Sequence, residues 1–314
     1  MKMTARPGPS RAFWLLPLSC LFLTRTGHGQ EKAAGKAPAP AARQGYQSVN
    51  GLKMYYELHG VGRPLVLIHG GGSTIGTTFG RVLAPLAAHR QVIAVELQAH
   101  GHTPDRDRPS TFEQDADDVA ALLGQLQVAQ ADIMGFSNGG NTAMQVAIRH
   151  PALVRRLIVA SSFYKRSALN PEFWQGMPTA TVDNMPKLLR EAYLAIVPDP
   201  RRLAAMHERD KQRMLAFKDW KDDDIRSIKV PTLLISGDQD VVRPEHTVEM
   251  YRLLPHGRLV ILPAGHGGYL GEITVGNKGS PLPRMTVALI EDFLDLPTWS
   301  SEAESTSRSS EHGP

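Results

Sequence analysis

Between residues 45 and 296 two kinds of apolar pattern alternate along the chain. The first is a short continuous run: residues 64–68, 92–95, 131–134, 157–160, 232–235 and 259–262. Runs of this length, rich in Val, Ile and Leu, suit strands covered on both faces. Residues 53–58 alternate instead, which predicts an edge strand with one wet face. The second kind repeats every three to four residues. Residues 110–127 place Phe112, Ala116, Val119, Leu122, Leu123 and Leu126 on one helical face, behind a capping box over Ser110 to Glu113. A second helix follows Gly140, with Ala143, Val146 and Ala147 inward and Met144 and Ile148 beside them. A last one opens near Pro283 and turns Val287, Leu289, Ile290, Phe293 and Leu294 inward. Strands alternating with helices predict an α/β fold, with a mostly parallel central sheet and helices on both faces.

One interval breaks the alternation. Residues 162–228 contain no clear strand but hold Phe163, Tyr164, Phe173, Trp174, Met177, Tyr193, Met206, Met214, Phe217 and Trp220, with helical spacing over 188–197. A structureless loop of that length is uncommon in a domain. The interval therefore reads as a small helical cap between two strands, with aromatic and Met side chains lining an apolar pocket. Its Trp174 and Met177, with Phe136 from the sheet, are the candidate substrate contacts.

The chain has 314 residues, 42% of them hydrophobic, enough for one large core or two modest ones. Its net charge of +4 is concentrated at the start: Lys2, Arg6, Arg11 and Arg25 precede residue 30 and no acid does, so the remainder is balanced. A nucleic-acid partner has no support. Residues 1–29 have the pattern of a signal peptide: basic residues, an apolar run over 12–23, then Gly27 and Gly29 before a cut ahead of Gln30. That run is too short to span a membrane. The expected location is outside the cytoplasm, in a bacterial periplasm or the extracellular space. The only cysteine, Cys20, lies within the run rather than at its end, which does not fit lipidation. The exported chain then has no disulfide and no thiolate metal ligand. Residues 30–44 are Ala/Pro/Lys-rich and read as a flexible linker, and residues 297–314 as a disordered Ser/Glu-rich tail. No feature of the sequence speaks to oligomeric state.

The stretch over 131–149 organises the chemistry. A short strand runs into Gly135-Phe136-Ser137-Asn138-Gly139-Gly140 and on into a helix. A serine between strand and helix, flanked by glycines, is the nucleophile-elbow pattern: the turn is too tight for neighbouring side chains. The hydroxyl then stands beside the helix N-terminus, where backbone N–H groups favour a developing negative charge. Residues 64–68 lead into His69-Gly70-Gly71-Gly72-Ser73. Such a loop brings backbone N–H groups close to a ligand oxygen and, with the N–H of Asn138, completes an oxyanion hole. His69 precedes the serine and reads as packing for its loop. After residues 232–235 come Asp238 and Asp240, competing to orient a histidine; Asp238, nearer the start of the turn, suits a loop cap. After residues 259–262 comes His266 in a Gly-rich loop, suited to act as general acid and base.

The order Ser…Asp…His, with the elbow and the His-Gly-Gly-Gly loop, resembles the α/β-hydrolase family over roughly residues 46–296. The resemblance implies Ser137 as nucleophile, Asp240 as acid through the family's Gly-Asp-x-Asp pattern, His266 as base, and Gly71 and Asn138 as oxyanion donors. Many relatives carry Asp-x-Arg-Gly-His-Gly where this chain has Glu96-Leu97-Gln98-Ala99-His100-Gly101-His102, a departure that bears on substrate preference. His100 and His102 lack a further ligand cluster, so no metal is expected, and no cofactor-binding loop is present. Asp222, Asp223 and Asp224 read as a solvated turn. The implied activity is that of an exported serine hydrolase acting on a carboxylic ester of a small, partly apolar molecule through an acyl-enzyme. A serine in the elbow argues against dehalogenase and epoxide-hydrolase chemistry, where the resemblance implies aspartate. Carbon–carbon bond hydrolysis, thioester hydrolysis and perhydrolysis use the same three residues and remain alternatives, with a non-catalytic ligand-binding protein of this fold as a third class.

Overall fold

The computed structural model describes residues 42–275 and 279–297. The expected signal peptide, nearly all of the linker and all but Pro297 of the tail lie outside them. The linker expectation ran two residues too far, because Arg43 and Gln44 already pair with Leu58 and Glu57.

The strands are β1 (Arg43–Val49), β2 (Leu52–His59), β3 (Pro64–Ile68), β4 (Gln91–Glu96), β5 (Ala131–Phe136), β6 (Val154–Ala160), β7 (Thr232–Gln239) and β8 (Gly257–Gly265). They form one eight-stranded sheet in the order β1-β2-β4-β3-β5-β6-β7-β8. The pairs β1–β2 and β2–β4 are antiparallel and the rest parallel. The alternating residues 53–58 belong to β2, which is not an edge strand. Strand β1 flanks it through a hairpin whose turn, Asn50-Gly51, has φ of 47° and 80°. Asn-Gly is the residue pair that such a two-residue turn favours.

The helices are α1 (Ile75–Phe79), α2 (Leu83–Ala87), α3 (Phe112–Gln125), α4 (Asn138–Arg149), α5 (Pro171–Gly176), α6 (Lys187–Ile196), α7 (Pro200–Ala216), α8 (Asp222–Arg226), α9 (Pro244–Leu253) and α10 (Leu282–Asp295). The period-two geometry of the strands divides the core. Val66, Ile68, Ile133, Leu157, Val159 and Leu234 meet α3, α4, α8 and α9 on one face. Leu65, Leu67, Met134, Ile158, Leu233 and Ile235 meet α1, α2 and α10 on the other. Each such fully buried side chain stabilises the fold by about 1.5–3 kcal/mol.

Helix α3 starts later than the expected capping box. Thr111, not Ser110, is its N-cap and accepts the N–H of Gln114. Asp222, Asp223 and Asp224 are not a free turn but the first turn of α8, where carboxylates suit the positive end of the helix dipole. The interval between β6 and β7 holds α5 to α8. Ile225 of α8 packs into the main core, while α6 and α7 form a separate apolar cluster through Leu189, Tyr193, Leu203 and Met206. No helix among the described residues is long and apolar enough to cross a membrane.

Strand register sets up the site. Ile68 lies opposite Gly135, Phe136 opposite Ala160, Ala160 opposite Ile235, and Gln239 opposite Gly265. The chain therefore leaves β3, β5, β6, β7 and β8 at one edge of the sheet, delivering Gly70–Gly72, Ser137, Ser161, Asp240 and His266 there.

Candidate active site

Ser137 sits between β5 and α4 with φ of 54° and ψ of −125°. This is left-handed backbone, strained for a residue with a side chain. The glycines make the turn possible. A Cβ on Gly135 would stand 2.0 Å from the Gly139 carbonyl oxygen, and one on Gly139 would stand 2.2 Å from that of Ile68. Neither contact is one that real atoms make, so the elbow excludes even alanine at both positions.

His266 lies between the other two residues. Its Nε2 is 3.0 Å from Ser137 Oγ and its Nδ1 is 2.7 Å from Asp240 Oδ1. The carboxylate selects the tautomer with hydrogen on Nδ1, leaving Nε2 as acceptor for the serine hydroxyl. The Phe136 ring lies 4.7 Å from the imidazole, centroid to centroid, and backs it. The Asp240 carboxylate is fully buried and accepts from four donors: His266 Nδ1, the Val242 N–H at 3.1 Å, the Gly237 N–H at 3.3 Å and the Ser161 hydroxyl. Burial works against its charge, but the hydrogen bond and charge of His266, with the other donors, hold the carboxyl below its ordinary range. Asp238 is exposed and accepts the N–H of Ala264 at 3.0 Å, tying β7 to β8.

The motifs did not single out Ser161 and Tyr269. Ser161 Oγ is 2.6 Å from the Tyr269 hydroxyl, so Asp240 is backed by two buried hydroxyl groups in series. Ser161 follows directly on β6, and its position at the strand end was the signal available for it.

Gly71 and Asn138 line one cavity with Ser137 and His266. A Cβ on Gly71 would stand 2.5 Å from Asn138 Nδ2, so the Asn138 side chain would have to move to admit one. His69 is fully buried; its Nδ1 donates to the Gly70 carbonyl at 2.8 Å and its Nε2 accepts the Leu97 N–H at 3.1 Å. Burial and the nearby His100 push its pKa down to about 3, so it remains a neutral brace for the loop. His100 Nε2 faces Asp210 and His102 Nδ1 faces Glu96. Among the described residues no three His, Cys, Asp or Glu side chains converge as metal ligands would.

The cavity measures about 480 Å³ and its walls are mainly apolar. Phe136 and Met177 line it, with Phe163, Leu169, Phe173 and Met185. Trp174 does not. Its indole N–H is held by the Arg166 carbonyl at 2.8 Å, the Arg166 guanidinium covers its ring at 3.7 Å, and it packs on Phe163, Phe173 and Phe217. Trp174 thus stands behind the wall. Trp174→Ala is expected to lower the melting temperature by an amount equivalent to about 3 kcal/mol while leaving the ranking of acyl chain lengths unchanged. Met177→Ala is expected to shift that ranking with little loss of stability. Melting curves and rates on a homologous series of esters separate the two effects.

A family model for the alpha/beta hydrolase fold matches residues 63–272. A dihydrolipoyllysine-residue acetyltransferase component of an acetoin cleaving system from Pseudomonas putida is 31% identical over 255 residues, 76% of this chain and 66% of that protein. The chain thus spans just under two thirds of that relative. A pimeloyl-[acyl-carrier protein] methyl ester esterase from Neisseria meningitidis is 29% identical over 234 residues, 67% of this chain and 88% of that enzyme. A 2-hydroxy-6-oxo-2,4-heptadienoate hydrolase from Pseudomonas putida is 29% identical over 273 residues, 75% of this chain and 90% of that one. With the sheet order and the serine elbow, these matches establish that the chain belongs to the alpha/beta hydrolase fold family.

Proposed function

We propose that this chain is an exported serine hydrolase that cleaves a carboxylic ester of a small, partly apolar molecule through an acyl-enzyme. The observation carrying the reading is His266, placed with one ring nitrogen on Ser137 and the other on the buried Asp240. In this reading Ser137 Oγ attacks the ester carbonyl carbon and its proton passes to His266 Nε2. Asp240 steadies the imidazolium cation that results. The carbonyl oxygen, now negative, takes hydrogen bonds from the N–H groups of Gly71 and Asn138. The tetrahedral adduct collapses, the alkoxide leaves with the proton from His266, and water attacks the acyl-serine by the same route in reverse.

An active-site-directed fluorophosphonate tests the reading. It should label Ser137 and no other residue, and Ser137→Ala should abolish labelling. A folded wild-type protein that resists the probe would instead be a ligand-binding member of the fold. The methyl ester esterase among the relatives supports an ester substrate, and the heptadienoate hydrolase supports carbon–carbon cleavage on the same three residues. The apolar cavity accommodates the acyl part of either. Hydrolysis rates across p-nitrophenyl esters, lactones, thioesters and a vinylogous 1,5-diketone divide the two readings.

Export is part of the proposal. Its support is the basic, apolar and small-residue order of residues 1–29. N-terminal sequencing of the protein recovered outside the cytoplasm should begin near Gln30, and a chain beginning at Met1 would count against it.

A further inference from the structure

Asp210 is the candidate with the most geometry behind it. It lies in the second half of α7, a helix rich in charged residues, yet its side chain is only 14% exposed and lines the same cavity as Ser137. One carboxylate oxygen accepts the N–H of Gly72 at 2.6 Å and faces His100 Nε2 at 3.0 Å; the other accepts Arg213 Nη2 at 2.7 Å. Arg213 continues to Asp115 of α3, Nη1 to Oδ2, at 2.5 Å. Two acids and two bases, drawn from α3, α7 and the loop after β4, are thus joined to the glycine loop after β3.

We propose that Asp210 is a positioning residue for the oxyanion loop, fixing from the cap helix α7 the peptide that adjoins the Gly71 donor. The proposal rests on the hydrolase reading above.

Three observations carry it. Gly70, Gly71 and Gly72 are consecutive and Gly72 has φ of 64°; His69 and Thr78 hold the Gly70 end, but Gly72 has no side chain with which to fix its own peptide. An oxyanion hole works only when its donors are aimed before charge develops. The Asp210 carboxylate supplies the anchor at the Gly72 end: it takes the Gly72 N–H, and one of its oxygens would lie 3.2 Å from a Cβ on Gly71. The third observation is the charge balance. A bare carboxylate here would oppose the negative charge forming nearby. Burial disfavours its ionised form, but the charges of His100 and Arg213 outweigh that and hold it well below the ordinary carboxylate range. The same pairing raises His100, against the effect of its burial. The anion is therefore kept as an acceptor, paired with Arg213 and facing His100. Apolar contacts hold a cap to a sheet as well as a buried ion cluster does; they do not hold a backbone N–H.

The test compares an ester with its thionoester, in which sulfur replaces the carbonyl oxygen. Sulfur accepts hydrogen bonds poorly, so the thionoester gains little from the loop in any variant. The wild type is first shown to be labelled at Ser137 by the phosphonate; failure there would overturn the hydrolase reading and this proposal together. In Asp210→Ala, kcat on the ester should fall by about 30- to 100-fold with KM nearly unchanged. Its thionoester rate should fall by less than about threefold, so that the ester/thionoester ratio collapses. Asp210→Asn keeps the shape and one acceptor oxygen and should fall between, and it carries the comparison if the alanine variant does not fold. Asp115→Asn loosens the far end of the cluster and should lower the melting temperature without moving the ratio. Folded Asp210 variants that lose stability but keep the wild-type ratio would make the residue a cap tie only and overturn the proposal.

Discussion

Ser137→Ala, His266→Ala and Asp240→Asn should each give a folded protein with ester hydrolysis reduced by roughly 10⁴-fold or more. The size follows from the chain of contacts. Without the His266 nitrogen at 3.0 Å, the hydroxyl of Ser137 keeps its proton and is a poor nucleophile. Without a carboxylate at 2.7 Å, the imidazole loses both its tautomer and the partner for its positive state. The decisive comparison is Asp238→Asn in the same assay. That residue is exposed and accepts the Ala264 N–H away from His266, so its loss should cost less than about tenfold. Were Asp238→Asn inactive and Asp240→Asn active, the acid would have been assigned to the wrong residue. Were Ser137→Ala fully active, the acyl-enzyme mechanism would fall. Soluble p-nitrophenyl acetate and butyrate, read by stopped-flow absorbance, resolve rates across this range.

Gly135→Ala should impair folding severely. The new carbon would stand 2.0 Å from the Gly139 carbonyl oxygen and 2.7 Å from the Gly140 nitrogen, both rigid backbone. Relief requires α4 to move off β5, which breaks the packing of Ala143, Met144 and Val146 against the sheet. The cost is expected to reach at least about 3 kcal/mol, with soluble yield falling and serine labelling lost. Gly124 is the control. A Cβ there meets nothing, and alanine within α3 favours the helix, so Gly124→Ala should be neutral or raise the melting temperature. Equal losses at both glycines would show that the tightness of the elbow is not what the first one serves.

The fold was legible where the pattern was strong. Continuous apolar runs mark β3 to β8; they signal strands covered on both faces in β3 to β7, whereas β8 is an edge strand that leaves Ile261 exposed. Strand β1 has no such run, because its residues are mostly exposed or half-exposed and carry no alternation that its Ala/Pro-rich neighbours lack. Its presence made β2 an inner strand. The start of α3 was misread by one residue because Ser110 and Thr111 are both good caps, and only the path of the chain decides which hydroxyl faces the N–H of Gln114. The Ser137, Asp240 and His266 constellation was readable because each residue follows a strand, and parallel strands deliver their carboxyl ends to one edge. Asp210 was hidden for the opposite reason. It sits among Glu208, Arg209, Lys211 and Arg213 on a helix that reads as solvated, and its partners lie 138 and 110 residues away. Trp174 was assigned to the pocket by its size and interval, whereas it packs behind Phe163 and Phe173, which line the cavity, under the Arg166 guanidinium.

The cavity wall has a further consequence. Met177, Met185, Met206 and Met214 all contribute to it. Thioether chains are unbranched and turn about three bonds, so this surface resembles soft wax more than a cast mould. Acyl groups that differ by one methylene should then be told apart only weakly, by about 1 kcal/mol or less, at the low end of what a shaped pocket achieves. The same sulfur atoms accept oxygen from peroxide. Each sulfoxide would set a strong dipole in an otherwise oily lining and shrink the range of chains it welcomes, leaving Ser137, His266 and Asp240 chemically untouched.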